Sequence, residues 1–92
     1  MGFPKEPVLG SNYPNPFNPA TTIEFTLPEA GRAVLRVVNL LGKEVAVLFD
    51  EEAVAGKFYR VSFDGSHLPC GMYFCTIEQG NNRVVKKLLL LK

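Results

Sequence analysis

From residue 21 onwards the chain alternates apolar and polar side chains in short stretches, broken every 8–12 residues by Gly, Pro or Asn clusters. That two-residue period limits the fold more than any other feature, because it suits a pleated strand with one buried face and not a helix. Residues 21–27 put Ile23, Phe25 and Leu27 on one face and Thr22, Glu24 and Thr26 on the other. After a turn at Pro28-Glu29-Ala30-Gly31, residues 32–38 repeat the pattern, with Ala33, Leu35 and Val37 facing in. A four-residue connection ending on Gly42 leads to a strand over 43–49, with Val45, Val47 and Phe49 on its core face. Residues 50–56 then read as an acidic, solvated loop, and 57–63 as a strand with Tyr59, Val61 and Phe63 inward. Leu, Lys, Glu and Ala over 44–54 and 83–92 would also suit short helices. The recurring turns and the lack of helix caps favour strands.

The last quarter has the strongest strand character. Residues 68–78 leave a Pro/Gly corner and are rich in aromatic and β-favouring side chains. Gln79-Gly80-Asn81-Asn82 is a turn, and residues 83–92 return as a second strand, so the two read as a hairpin. On that reading the C-terminus is part of the fold. Leu88 to Leu91 put leucines on both faces. Either both faces are covered, or an apolar strip beside Lys86, Lys87 and Lys92 is left for a partner. Lys86 and Lys87 in mid-strand suit an edge, where charge discourages unwanted strand pairing.

Five of the seven prolines lie within residues 4–19. Proline fixes φ and lacks an amide donor, so Asn12-Tyr13-Pro14-Asn15-Pro16-Phe17-Asn18-Pro19 is neither a helix nor a central strand. Two aromatic rings would be wasted in a free linker. The segment reads as an ordered strap pinned by Tyr13 and Phe17, with Asn15 and Asn18 closing local turns. The expected fold is an all-β, immunoglobulin-like sandwich of six antiparallel strands, or seven if residues 7–11 pair at an edge. Residues 1–11 form a linker or edge segment, and 12–92 the domain.

A net charge of +1 over 92 residues gives no electrostatic case for nucleic acid or an anionic membrane surface. No apolar run approaches the ~20 residues of a transmembrane helix, and residues 1–7 lack the apolar core of a signal peptide. Cys70 and Cys75 are separated by ~16 Å of extended chain, too far for a disulfide without a sharp turn. Cys75 shares parity with Tyr73 and Ile77 and reads as a small buried apolar group, whereas Cys70 lies in a loop. One histidine, His67, lies beside Ser66. Sequence neighbours do not make a nucleophile–base pair, and no ligand spacing points to a metal. No catalytic, cofactor or metal site is expected.

Four motifs resemble one family. Asn12-Tyr13-Pro14-Asn15-Pro16-Phe17-Asn18-Pro19-Ala20-Thr21-Thr22-Ile23 is similar to the opening signature of the type IX secretion C-terminal sorting domains (type A, also called Por secretion system tail domains). Asn39-Leu40-Leu41-Gly42-Lys43-Glu44-Val45 and Leu68-Pro69-Cys70-Gly71-Met72-Tyr73-Phe74 resemble its middle segments. Lys86-Lys87-Leu88-Leu89-Leu90-Leu91-Lys92 resembles its closing basic-then-aliphatic strand. The resemblance covers residues 9–92 and departs from the family at Cys70, usually Ser, and at Cys75, where an aromatic is common. It implies a non-catalytic sorting signal that sends a larger cargo through the periplasm of a Gram-negative bacterium to the cell surface or the medium. The implied partners are the outer-membrane machinery, a sortase-like protease and an upstream cargo domain; dimerisation stays open. Recognition would fall on Lys86, Lys87, Leu89, Leu91 and Lys92, while Tyr13, Asn15, Pro16, Phe17, Asn18, Gly42, Glu44, Gly71 and Tyr73 would shape the domain. The alternatives are a fibronectin-like or carbohydrate-binding accessory module, or an immunoglobulin-like module of the flagellar-hook-cap kind.

Overall fold

The alternating stretches pair much as their period requires. The computed structural model describes residues 7–10 and 13–91, which form seven strands and no helix. These are β1 (Val8–Leu9), β2 (Ala20–Thr26), β3 (Gly31–Val38), β4 (Glu44–Ala53), β5 (Phe58–Asp64), β6 (Gly71–Gln79) and β7 (Asn82–Leu90). The sheets are antiparallel, with strand orders β1-β2-β5 and β4-β3-β6-β7. The chain changes sheet after β2, after β4 and again after β5, the connectivity of an immunoglobulin-like sandwich.

The inner faces supply the core. Ile23, Phe25, Ala33, Leu35, Val37, Phe63, Cys75 and Ile77, placed inward by parity, are all buried. Phe25, Phe49 and Tyr59 pack mutually at centroid distances of 5.1–5.2 Å. Tyr73, on β6, donates its hydroxyl to the Pro69 carbonyl at 2.6 Å. This is the tyrosine corner of immunoglobulin-like domains, in which an otherwise buried hydroxyl is satisfied by backbone a few residues upstream.

Three expectations are corrected. The acidic loop begins later than expected, because Asp50, Glu51 and Glu52 continue β4 opposite Val34, Ala33 and Arg32, and Ala53 ends the strand in the core. Their side chains are exposed along a sheet edge, so the charge concealed a strand. Val47 does not face the core. The partner of Leu35 is Phe49 and that of Arg36 is Val47, so Leu48 is an extra residue that turns Val47 to the outer face. Tyr13 does not pin the strap with its ring, which is 82% exposed, whereas Phe17 is 1% exposed. Asn12 and Lys92 lie outside the described residues. Cys70 is exposed, Cys75 is buried and both are free thiols.

Candidate functional site

Gly80 and Asn81 make the β6–β7 turn, with Gln79 opposite Asn82. Gly80 takes φ +60° while Asn81 does not enter positive φ, the arrangement of a type II′ hairpin. A two-residue turn makes its flanking residues a hydrogen-bonded pair, and the pairs alternate from there. Asn82, Val84, Lys86, Leu88 and Leu90 therefore bond inward to β6, whereas Arg83, Val85, Lys87 and Leu89 point their backbone groups away from it. As β7 is the last strand of its sheet, those groups lie on an edge.

The strap occupies one end of that edge. The Phe17 amide donates to the Leu89 carbonyl at 2.9 Å, and the Leu91 amide donates to the Phe17 carbonyl at 2.8 Å. The Leu89 amide donates to Asn15 Oδ1 at 3.2 Å, so Asn15 serves the terminal strand and not a turn of its own. The Phe17 ring packs on Phe63 at 5.8 Å. At its other end the strap joins the opposite sheet, where Tyr13 and Thr22 exchange backbone hydrogen bonds and Thr21 Oγ1 donates to the Pro14 carbonyl. Pro16 and Asn18 are exposed within it.

Side chains along β7 divide by parity. Leu88 and Leu90 are buried; Leu89 is half-buried and Leu91 is 46% exposed on the outer face. Lys87 is exposed on that face, and Lys86 is exposed although its parity is inward. An inward charge on an edge strand resists edge-to-edge pairing. Glu51 has the same placement on β4, the other edge of this sheet: it shares parity with buried Phe49 and Ala53 yet is exposed.

The two middle motifs meet at one end of the sandwich. Asn39 Oδ1 accepts from the Leu41 and Lys43 amides, and Gly42 closes the turn at φ +82°. Gly71 opens β6 at φ +144°. The two segments line a cleft of about 290 Å³ whose walls include Leu40, Leu41, Leu68, Cys70, Met72 and Tyr73. Glu44 lies 3.5 Å from Arg36 Nε, and Arg36 also reaches Glu78 at 3.4 Å. Asn39, Arg83 and Val85 were not singled out from sequence. The two-residue turn carried the signal for the last two, since it fixes which backbone groups face outward.

A second exposed surface lies on the three-stranded sheet. Tyr13 and Phe58, the latter 81% exposed, flank an ion pair in which Arg60 Nη2 lies 2.6 Å from Glu24 Oε2.

The titratable groups follow their surroundings. The Ser66 amide and hydroxyl hold the Asp64 carboxyl below its usual range, with His67 a smaller influence. Ser66 thus serves a turn beside His67. Burial pushes the Cys75 thiol up to about 12. Among the described residues no three His, Cys, Asp or Glu side chains gather as a metal site.

Such a chain, two antiparallel sheets packed face to face with no helix among the described residues, belongs to the class of all-β, immunoglobulin-like sandwiches. Comparison with known families is more specific: residues 11–91 match the secretion system C-terminal sorting domain, and the chain belongs to that family, the type IX sorting domains. A search of curated proteins gives no match. Domains of this family are export addresses in Gram-negative bacteria. They direct an attached upstream cargo, through the secretion machinery, to the cell surface or the medium.

Proposed function

We propose that residues 12–92 are the sorting unit of a larger cargo protein, with 1–11 as a linker or edge segment that carries β1, and that outer-membrane machinery reads the unit at β7. The observation that carries this reading is the split along that strand. Leu88 and Leu90 anchor it in the core while Lys86, Lys87 and Leu91 remain accessible and Leu89 partly so. Lys86, Lys87, Leu89, Leu91 and Lys92 are the recognition residues, and the domain itself performs no reaction. Tyr13, Asn15, Pro16, Phe17 and Asn18 hold the strand's far end, and Gly42, Glu44, Gly71 and Tyr73 shape the loops. The cargo passes through the periplasm, and a sortase-like protease removes the domain once the cargo has crossed.

The test is a fusion of residues 1–92 to a reporter carrying its own signal peptide, made in a bacterium with a type IX system. The reporter is expected outside the cell with the intact domain, and in the periplasm when residues 86–92 are deleted. Delivery that survives the deletion rejects recognition at β7.

A second reading, a carbohydrate-binding accessory module, is favoured by one observation. Tyr13 and Phe58 are almost fully exposed around the Glu24–Arg60 pair, as stacking platforms beside polar groups would be. Binding on a glycan array that is lost in Tyr13→Ala and Phe58→Ala would support it.

A further inference from the structure

The edge of β7 is only partly used. Leu89 spends both its outward backbone groups on the strap, and Leu91 its amide. Arg83, Val85 and Lys87 have outward amides and carbonyls with no partner among the described residues. The geometry points to residues 83–87 as a strand-addition site for an extended, acidic segment of the secretion machinery. This inference rests on the sorting reading above and specifies the contact by which the strand is read.

Two observations favour such an occupant. The first is backbone geometry. A partner strand laid along residues 83–87 would cover ~17 Å and could pair with three outward residues, each exchanging an amide and a carbonyl. Phe17 already makes a parallel bridge to Leu90, so the edge accepts strand pairing, and an incoming segment would abut the strap. Main-chain bonds supply affinity in such complexes, and alternate side chains supply specificity.

The second is charge. Arg83, Lys86 and Lys87 are exposed and enter none of the ion pairs among the described residues, which use Arg32, Arg36 and Arg60. Half-exposed Val85 separates the cations. Antiparallel pairing of two β7 edges about Val85 would set Arg83 opposite Lys87 in both copies, and like charges directly opposite are unfavourable. The edge therefore disfavours a symmetric pair of itself and suits carboxylates.

Val85→Pro is the direct probe. It removes an outward amide that bonds no other described residue, a position where edge strands tolerate proline. In the reporter fusion, delivery should fall by roughly tenfold or more while the purified domain still melts cooperatively near the wild-type temperature. Arg83→Glu with Lys87→Glu should cause a comparable loss, and Lys43→Glu with Lys57→Glu, a charge reversal of the same size outside β7, should not. If Val85→Pro fails to fold, the double reversal decides. Wild-type delivery by a folded Val85→Pro, or by the double reversal, overturns strand addition. When a folded variant carrying Lys86→Glu and Leu91→Glu, both accessible side chains, still loses delivery in that case, recognition at β7 stands; when it does not, recognition at β7 falls as well. Concentration-dependent oligomers of the wild-type domain that vanish in Val85→Pro would assign the edge to a second copy, through acidic β4, and also overturn the proposal.

Discussion

Phe17 and Tyr13 sit four positions apart in one strap and meet opposite surroundings. Removing the Phe17 ring leaves a cavity against Phe63 under the end of β7. Phe17→Ala should therefore cost about 3–5 kcal/mol in urea unfolding. Tyr13→Ala removes a solvated ring and leaves the backbone bridge to Thr22 in place, so its cost should stay within about 0.5 kcal/mol. Equal effects would refute this account of the strap. Tyr73→Phe removes the hydroxyl that satisfies the Pro69 carbonyl and should cost about 1–1.5 kcal/mol. The two thiols differ as sharply. A thiol reagent should label Cys70 in the native protein and Cys75 only on unfolding. Burial raises the folded Cys75 thiol from an ordinary 9.0 to about 12. Its contribution to stability is thus complete below pH 9 and is lost as pH rises towards 12, because the unfolded thiol ionises first. A Cys75→Ala variant should show a shallower alkaline decline.

Single elements show which parts of the sequence were readable. β2, β3 and β6 were legible because one face is buried along most of each strand, and β5 because its inward residues Tyr59, Val61 and Phe63 are consistently less exposed than their neighbours, so side-chain parity reports the core face directly. β4 was harder to read for two physical reasons. The extra residue at Leu48 changes its parity, and its second half lies on an edge where even inward Glu51 reaches water. In the strap, the prolines excluded regular structure but could not reveal that Asn15 and Phe17 pair with residues more than seventy positions away. The lysines and outer leucines of β7 were legible as a terminal strip. Side-chain pattern does not mark Arg83 and Val85, which only the direction of their backbone groups sets apart. Gly65 marks another contact that composition hides. A Cβ there would lie 3.0 Å from Leu90 Cδ2, and Leu90 is fully buried, so its side chain would have to shift against its core neighbours. Gly65→Ala should lower stability by about 1–3 kcal/mol, measured by thermal melting.

Across the whole molecule, the strap links both sheets to the final strand. Its two ends join β2 of one sheet and β7 of the other, and the Pro19 carbonyl accepts from the Gly65 amide. The strap that identifies the family in sequence is thus also the clasp that holds the terminal strand in register. Variants that loosen it should impair export and stability together, whereas changes at residues 83–87 should separate the two. Comparing reporter delivery with melting temperature for Phe17→Ala and Val85→Pro would test that distinction.

The contact between Asn15 and Leu89 has a temporal consequence. A ribosome must translate almost the entire domain before these partners can meet, and Leu88 and Leu90 must be present before the core can close. Prematurely terminated cargo would consequently carry no assembled address. The architecture would confine export to chains translated at least through β7, a quality check enforced by topology alone.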